Sequence, residues 1–185
     1  MKKRRLLSLF LSFALLLPLF ASFSAEAYED FTLDARAGLL IEADTGEILY
    51  EKNARQENYP ASLTKIMTAL LVFEAIDEGK LSLSDSVTAT ESVFEGLASD
   101  GSTADIVPGE TMTVEQLLNC MLIVSANETC NILGEYISGS VEAFVARMNE
   151  RASELGCEHT HFANATGLHN SQHYTTAWDL YLITR

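Results

Sequence analysis

Tyr59-Pro60-Ala61-Ser62-Leu63-Thr64-Lys65-Ile66-Met67-Thr68-Ala69-Leu70-Leu71-Val72-Phe73 runs from a polar start straight into an almost uninterrupted apolar stretch. Pro60 suits the entry or first turn of a helix and Gly79 suits its exit, so the pattern predicts one helix from Ser62 to about Asp77. From Ile66 to Ile76 apolar residues occupy every face, as in a helix buried in the middle of a domain. Ser62 and Lys65 then stand three apart in the first turn, on one side of the helix and within mutual reach.

That pair carries chemistry. A serine hydroxyl is a poor nucleophile until a neighbour takes its proton. Lysine does so only when neutral, and at its ordinary pKa of about 10.4 fewer than roughly one in a thousand is neutral at pH 7. Burial disfavours the ammonium, and the positive end of the helix dipole repels a cation in the first turn. The same helix start offers backbone N–H groups to an oxyanion forming at the serine. Against this stands the plainer reading, a serine cap followed by a surface lysine, since Ser-x-x-Lys also arises by chance.

Upstream, Lys2, Lys3, Arg4 and Arg5 precede an apolar run from Leu6 to Phe20 and the small-x-small triplet Ala25-Glu26-Ala27. This predicts a signal peptide over 1–27 and an exported segment, 28–185, beginning at Tyr28. An uncleaved membrane anchor is the rival, and both readings place the domain outside the cytoplasm. Without its four basic residues and one acidic residue, the 12 Lys+Arg and 26 Asp+Glu of the chain become 8 and 25, a formal charge of −17. So acidic a surface argues against nucleic acid and anionic lipid as partners. Cys120, Cys130 and Cys157 are too few for a disulfide framework and read as free thiols; a Cys120–Cys130 bridge is the alternative in an exported protein.

Ala37 to Ala43 and Glu47 to Tyr50 are short apolar runs joined by Asp44-Thr45-Gly46, a β-hairpin pattern that needs further strands or a helix to cover it. Leu81 to Pro108 reads as loop and short turns, with one short run at Val87-Thr88-Ala89. Thr113 and Gln116 form a capping box ahead of a helix that is interrupted at Ser125-Ala126-Asn127. Helical stripes follow through Ile137 and, after Ser138-Gly139-Ser140, from Phe144 to Leu155. Residues 81–185 therefore read as a mostly α-helical subdomain. Ser125 and Asn127 sit in a tight break between apolar helices, where a hydroxyl and an amide can face a cleft; an Asn cap and a glycosylation acceptor are the plainer readings.

Ser62-Leu63-Thr64-Lys65 followed by Ser125-Ala126-Asn127 resembles the penicillin-recognising serine enzymes. More closely, the chain is similar to the low-molecular-weight penicillin-binding proteins that act as D-alanyl-D-alanine carboxypeptidases. The similarity runs through Glu42-Ala43-Asp44-Thr45-Gly46, Pro60 to Thr68, Pro108-Gly109-Glu110, Phe162 to His169 and His173 to Leu180, covering about Ala35 to Arg185. The resemblance implies an α/β transpeptidase fold of the penicillin-binding-protein and β-lactamase type, an antiparallel sheet with an all-α subdomain. It implies Ser62 as nucleophile, Lys65 as proton acceptor, Ser125 as relay to the leaving amine, and Asn127 as holder of Lys65 and of the substrate carbonyl. Cys130 is expected beside the site as a packing residue.

The implied activity removes the terminal D-alanine from peptidoglycan stem pentapeptides through an acyl-serine, with β-lactams acylating the same serine and no cofactor. A β-lactamase and a catalytically silent wall-binding module are the alternatives. Cys157, His159, His161, His169 and His173 raise a zinc reading; the resemblance instead places His169 and His173 along the cleft without metal. Relatives also carry a Lys-Thr-Gly element that binds the substrate carboxylate, and none follows Asn127 here. With the apolar run Trp178 to Arg185 and a hairpin lacking partner strands, this creates the expectation of an N-terminal portion, truncated before the C-terminal strands. Such a portion would be inactive alone and prone to aggregate, with any membrane attachment lying in the part not present.

Overall fold

The computed structural model describes residues 32–185. The signal peptide expected over 1–27 lies outside the described residues. All the secondary structure below belongs to the unit Ala35–Arg185.

The hairpin forms as its pattern predicts: β1 (Gly38–Ile41) pairs antiparallel with β2 (Ile48–Lys52), Gly38 opposite Lys52 and Ile41 opposite Ile48. Gly46 supplies the left-handed turn at φ +73°, and the register slips by a bulge between Leu40 and Ile41.

The central helix differs at its start. Ser62 lies in a 3₁₀ turn, Ala61–Leu63, that leads directly into α1, Thr64–Asp77. A 3₁₀ turn has three residues per turn, so Ser62 and Lys65 remain on one side. Met67, Ala69, Leu71, Val72 and Ala75 of α1 are buried, whereas Phe73 is 46% exposed, so burial on every face is not met at that position.

Strands also form where the sequence suggests loop. β3 (Ser86–Thr88) pairs antiparallel with β4 (Thr111–Thr113), Ser86 opposite Thr113. Strands this short, with Val87 the one buried residue of β3, have no alternation long enough to recognise. Thr113 both ends β4 and caps α2 (Val114–Ile123): its Oγ1 accepts from Gln116 N at 3.2 Å, and Gln116 Oε1 accepts from Thr113 N at 2.8 Å.

After the break at Ser125 come α3 (Asn127–Ser138), closed by Gly139 at φ +82°, then α4 (Val141–Glu154) and α5 (Ala177–Thr184). The side chains of Ser140 and Thr176 cap the last two. Helix α1 touches each of the other four helices, and α5 also touches β1. Met67, Val72, Leu117, Met121, Leu133, Phe144, Met148 and Phe162 form the innermost core, none more than 1% exposed. Burying such a side chain stabilises by about 1.5–3 kcal/mol, so packing rather than local propensity fixes where α1 begins.

Gly134 of α3 faces Phe144 so closely that an added Cβ would stand 2.8 Å from its ring. Alanine would gain about 1 kcal/mol in helix propensity, yet overpacking a full core costs about 1–3 kcal/mol. Gly134→Ala is therefore expected to lower the denaturation midpoint, while a raised midpoint would show that the α3–α4 contact adjusts freely.

Candidate active site

The turn that carries Ser62 is held in a conformation few residues adopt. Ala61 has φ +48°, and a non-glycine residue in this region costs about 1–2 kcal/mol. Gly167 packs against it: a Cβ there would lie 1.9 Å from Ala61 O and 3.0 Å from Ser62 N. Only a glycine permits that approach. Across the cleft Ser125 is also left-handed, at φ +61°, in the break between α2 and α3. Its Oγ donates to Ser62 Oγ at 3.0 Å.

Lys65 is 3% exposed. Its Nζ donates to Asn127 Oδ1 at 2.9 Å and to Thr166 O at 2.8 Å, and lies 3.3 Å from Ser62 Oγ. A neutral amine has two N–H groups and one lone pair, and an ammonium has three N–H groups and none. With two acceptors taken by N–H groups, the neutral form turns its lone pair to the Ser62 hydroxyl. Burial is the largest influence on Lys65 and holds its pKa below the ordinary value, with Cys130 and Glu128 acting the other way. Burial also pushes the Cys130 thiol up to about 12, so it is uncharged at pH 7 and Glu128 is the effective counterweight.

The four residues singled out in the sequence, Ser62, Lys65, Ser125 and Asn127, thus meet in one place. Asn127 is buried at the first turn of α3, which Ala126 rather than the asparagine caps, and its depth is at odds with a glycosylation acceptor. Its N–H donates to Ser102 O at 2.9 Å, while the buried Glu128 carboxylate accepts from Thr103 Oγ1 at 2.8 Å and Ala104 N at 2.6 Å. These bonds fasten the 102–104 loop onto the start of α3. Beside the cluster opens a groove of about 410 Å³, with Ser62, Lys65 and Ser125 on one side and Leu63, Ile66 and Leu122 on its apolar wall.

The histidines separate. His159 bonds Glu57, His161 Nδ1 bonds Gln172 O, and the exposed His169 meets Tyr59 edge to face with ring centroids 4.7 Å apart. Among the described residues no group of three or more such side chains could hold a metal ion. His173 does not line the cleft as expected: it is 2% exposed and bonded to Thr64, next to the Ser62 turn. Its Nδ1 accepts from Ala163 N at 3.1 Å, which leaves Nε2–H to donate to Thr64 Oγ1 at 2.7 Å. All three cysteines are free, and only Cys130 is fully buried. The sequence reading overlooked the Thr166 carbonyl, Glu128 and the supporting role of His173; a main-chain acceptor leaves no mark in a sequence.

A family described as D-alanyl-D-alanine carboxypeptidase matches residues 23–185. The chain is 41% identical over 166 residues to the D-alanyl-D-alanine carboxypeptidase DacF of Bacillus subtilis, covering 90% of this chain and 42% of that protein. It is 37% identical to DacC of Escherichia coli, covering 88% and 42%. The crystal structure of the D-alanyl-D-alanine carboxypeptidase DacD from Francisella tularensis matches at a TM-score of 0.78 and 36% identity, covering 90% and 41%. Penicillin binding protein 5 from Haemophilus influenzae matches at 0.80 and 32%, covering 85% and 46%. The chain spans less than half the length of these relatives, and its helices and small antiparallel sheets share their α/β fold.

Burial, the larger cause, and His161 bring the pKa of His173 down to about 4 from 6.5. The unfolded chain therefore takes up this proton at a higher pH than the folded one. The neutral ring's contribution is fully present above about pH 6.5 and is lost as pH falls to about 4. His173→Gln is expected to flatten the stability curve in that window relative to the unsubstituted chain, measured by denaturation at a series of pH values. Parallel curves would show that His173 does not titrate on unfolding.

Proposed function

The chain belongs to the D-alanyl-D-alanine carboxypeptidase family, and on that premise we propose that it acts as a serine-type enzyme releasing the terminal D-alanine of peptidoglycan stem pentapeptides. The observation that carries the reading is the Lys65 amine, buried, with Asn127 Oδ1 and Thr166 O accepting from it and Ser62 Oγ beside it. Ser62 Oγ attacks the carbonyl carbon of the D-Ala-D-Ala bond while its proton passes to Lys65 Nζ. When the C–N bond breaks, the departing amine takes the proton held by Lys65 through Ser125, a relay supported by the 3.0 Å between Ser125 Oγ and Ser62 Oγ. Water then hydrolyses the Ser62 ester and frees the shortened peptide.

Asn127 serves twice in this scheme. Its Oδ1 fixes the lysine, and its amide Nδ2 is the group assigned to the substrate carbonyl. A β-lactam presents a strained amide to the same hydroxyl and acylates Ser62. The enzyme works outside the cytoplasm, a reading that rests on the export pattern of residues 1–27. Among the described residues no helix is long and apolar enough to cross a membrane.

In the full-length protein, Ser62→Ala is expected to abolish covalent labelling by a fluorescent penicillin, and D-alanine release from a D-Ala-D-Ala peptide with it. Lys65→Arg removes the base, because guanidinium does not give up its proton, and should slow acylation by about a hundredfold or more. Labelling that survives Ser62→Ala, or that moves to Ser125, would overturn the assignment. Rapid penicillin turnover without D-alanine release would replace the carboxypeptidase by a β-lactamase.

A further inference from the structure

The Lys65 amine depends on a main-chain oxygen, and something must hold that oxygen in place. The Thr166 carbonyl belongs to a turn, Asn164 to Leu168, that lies against the nucleophile helix along its whole first part. Gly167 abuts Ala61, Thr166 O meets Lys65, and Ala165 O accepts from Thr68 Oγ1 at 2.8 Å. Ala163 is tied to Thr64 through His173. The first three of these contacts presuppose the shape of the turn.

One side chain makes most of that shape, with the Thr166 hydroxyl adding a single bond from Leu168 N at 3.2 Å. Asn164 Oδ1 accepts from Gly167 N at 2.7 Å, from Thr166 Oγ1 at 3.0 Å and from Thr166 N at 3.2 Å, while its Nδ2 donates to Leu168 O at 2.9 Å. Asparagine commonly closes turns by bonding its own main chain two residues on, and here it bonds the chain at each of the next positions from 166 to 168. The half-buried Asn164 does not touch Lys65 itself, so its action is indirect.

We propose that Asn164 is a positioning residue for the Lys65 amine: it folds the 164–168 turn so that the Thr166 carbonyl accepts from Lys65 and Gly167 presses on the Ala61–Ser62 turn. The proposal rests on the reading of Ser62 as nucleophile and Lys65 as its base. Removing Asn164 frees the turn, and the Thr166 carbonyl leaves Lys65. A carbonyl stabilises the ammonium more than the amine, so its departure favours the neutral form while loosening the aim of the lone pair at Ser62. Glu128 and the uncharged Cys130 thiol, the other groups that influence Lys65, stay where they are.

The test is the pH dependence of acylation by a fluorescent penicillin, measured for the full chain as isolated and for N164A and N164D, together with the denaturation midpoint of each. N164A is expected to lower the plateau rate by about tenfold or more and to move the acid limb of the profile to lower pH. N164D retains the acceptor oxygen for Gly167 and Thr166 but loses the bond to Leu168 O, so it should restore part of the plateau, its added negative charge moving the limb to higher pH. A plateau and limb unchanged in N164A, whatever happens to its midpoint, would overturn the proposal, as would a limb in N164D that moves to lower pH. Should N164A fail to fold, N164S, whose shorter hydroxyl cannot reach all the same donors, is judged by the same plateau and limb. If the unsubstituted full-length protein is not acylated at all, the catalytic reading itself fails, a result distinct from an acylated protein that is indifferent to Asn164.

Discussion

A primary amine taken out of water must have its hydrogens and its lone pair met, since an unmet polar group in the interior costs about 1–3 kcal/mol. Lys65 is in that position, and its partners come from places far apart in the chain. Ser62 stands three residues before it, Asn127 sixty-two after and the Thr166 carbonyl one hundred and one after. Much of the architecture follows from bringing these together. Helix α1 runs through the middle of the helical core, α2 and α3 break beside it, and the 164–168 turn lies along its start.

The same arrangement accounts for backbone conformations that otherwise make little sense. Ala61 and Ser125 are both left-handed without being glycine, and they flank the two hydroxyls that touch. Each strained residue is held by its surroundings: Gly167 against Ala61, and the bonds of Ala126 and Asn127 to Cys120 and Ser102 beside Ser125. Strain of this kind persists where neighbouring structure over-determines the geometry, and it clusters at sites of chemistry. The interior polar groups are met throughout: among the described residues no buried side-chain nitrogen or oxygen lacks a hydrogen-bond partner.

Around the site several apolar side chains are exposed. Leu122, Ile123 and Val124 are 54%, 77% and 52% exposed immediately before Ser125, and Leu63 is 51% exposed beside Ser62. On the hairpin Leu40, Ile48 and Leu49 are likewise exposed. Exposed apolar side chains thus border the site.

Ser62 and Lys65 were legible because residues three apart at a helix start must share a side, and their chemistry follows from the dipole and from burial, both local properties. The break at Ser125-Ala126-Asn127, the caps at Thr113 and Gly139 and the β1–β2 turn were legible for the same reason, since each is written in a few adjacent residues. The short β3–β4 pair was not, because its strands are too brief to show an alternation and exist only where Thr88 and Thr111 meet across the fold. Nor was the place of His173, whose neighbours in sequence suggest a cleft or a metal. Only packing puts its ring behind Thr64, where burial keeps it neutral. The sequence alone thus determined which residues can react. Which of them meet, and what holds the lysine, was decided by contacts between segments a hundred residues apart, above all a main-chain carbonyl that every residue carries and that no sequence can single out.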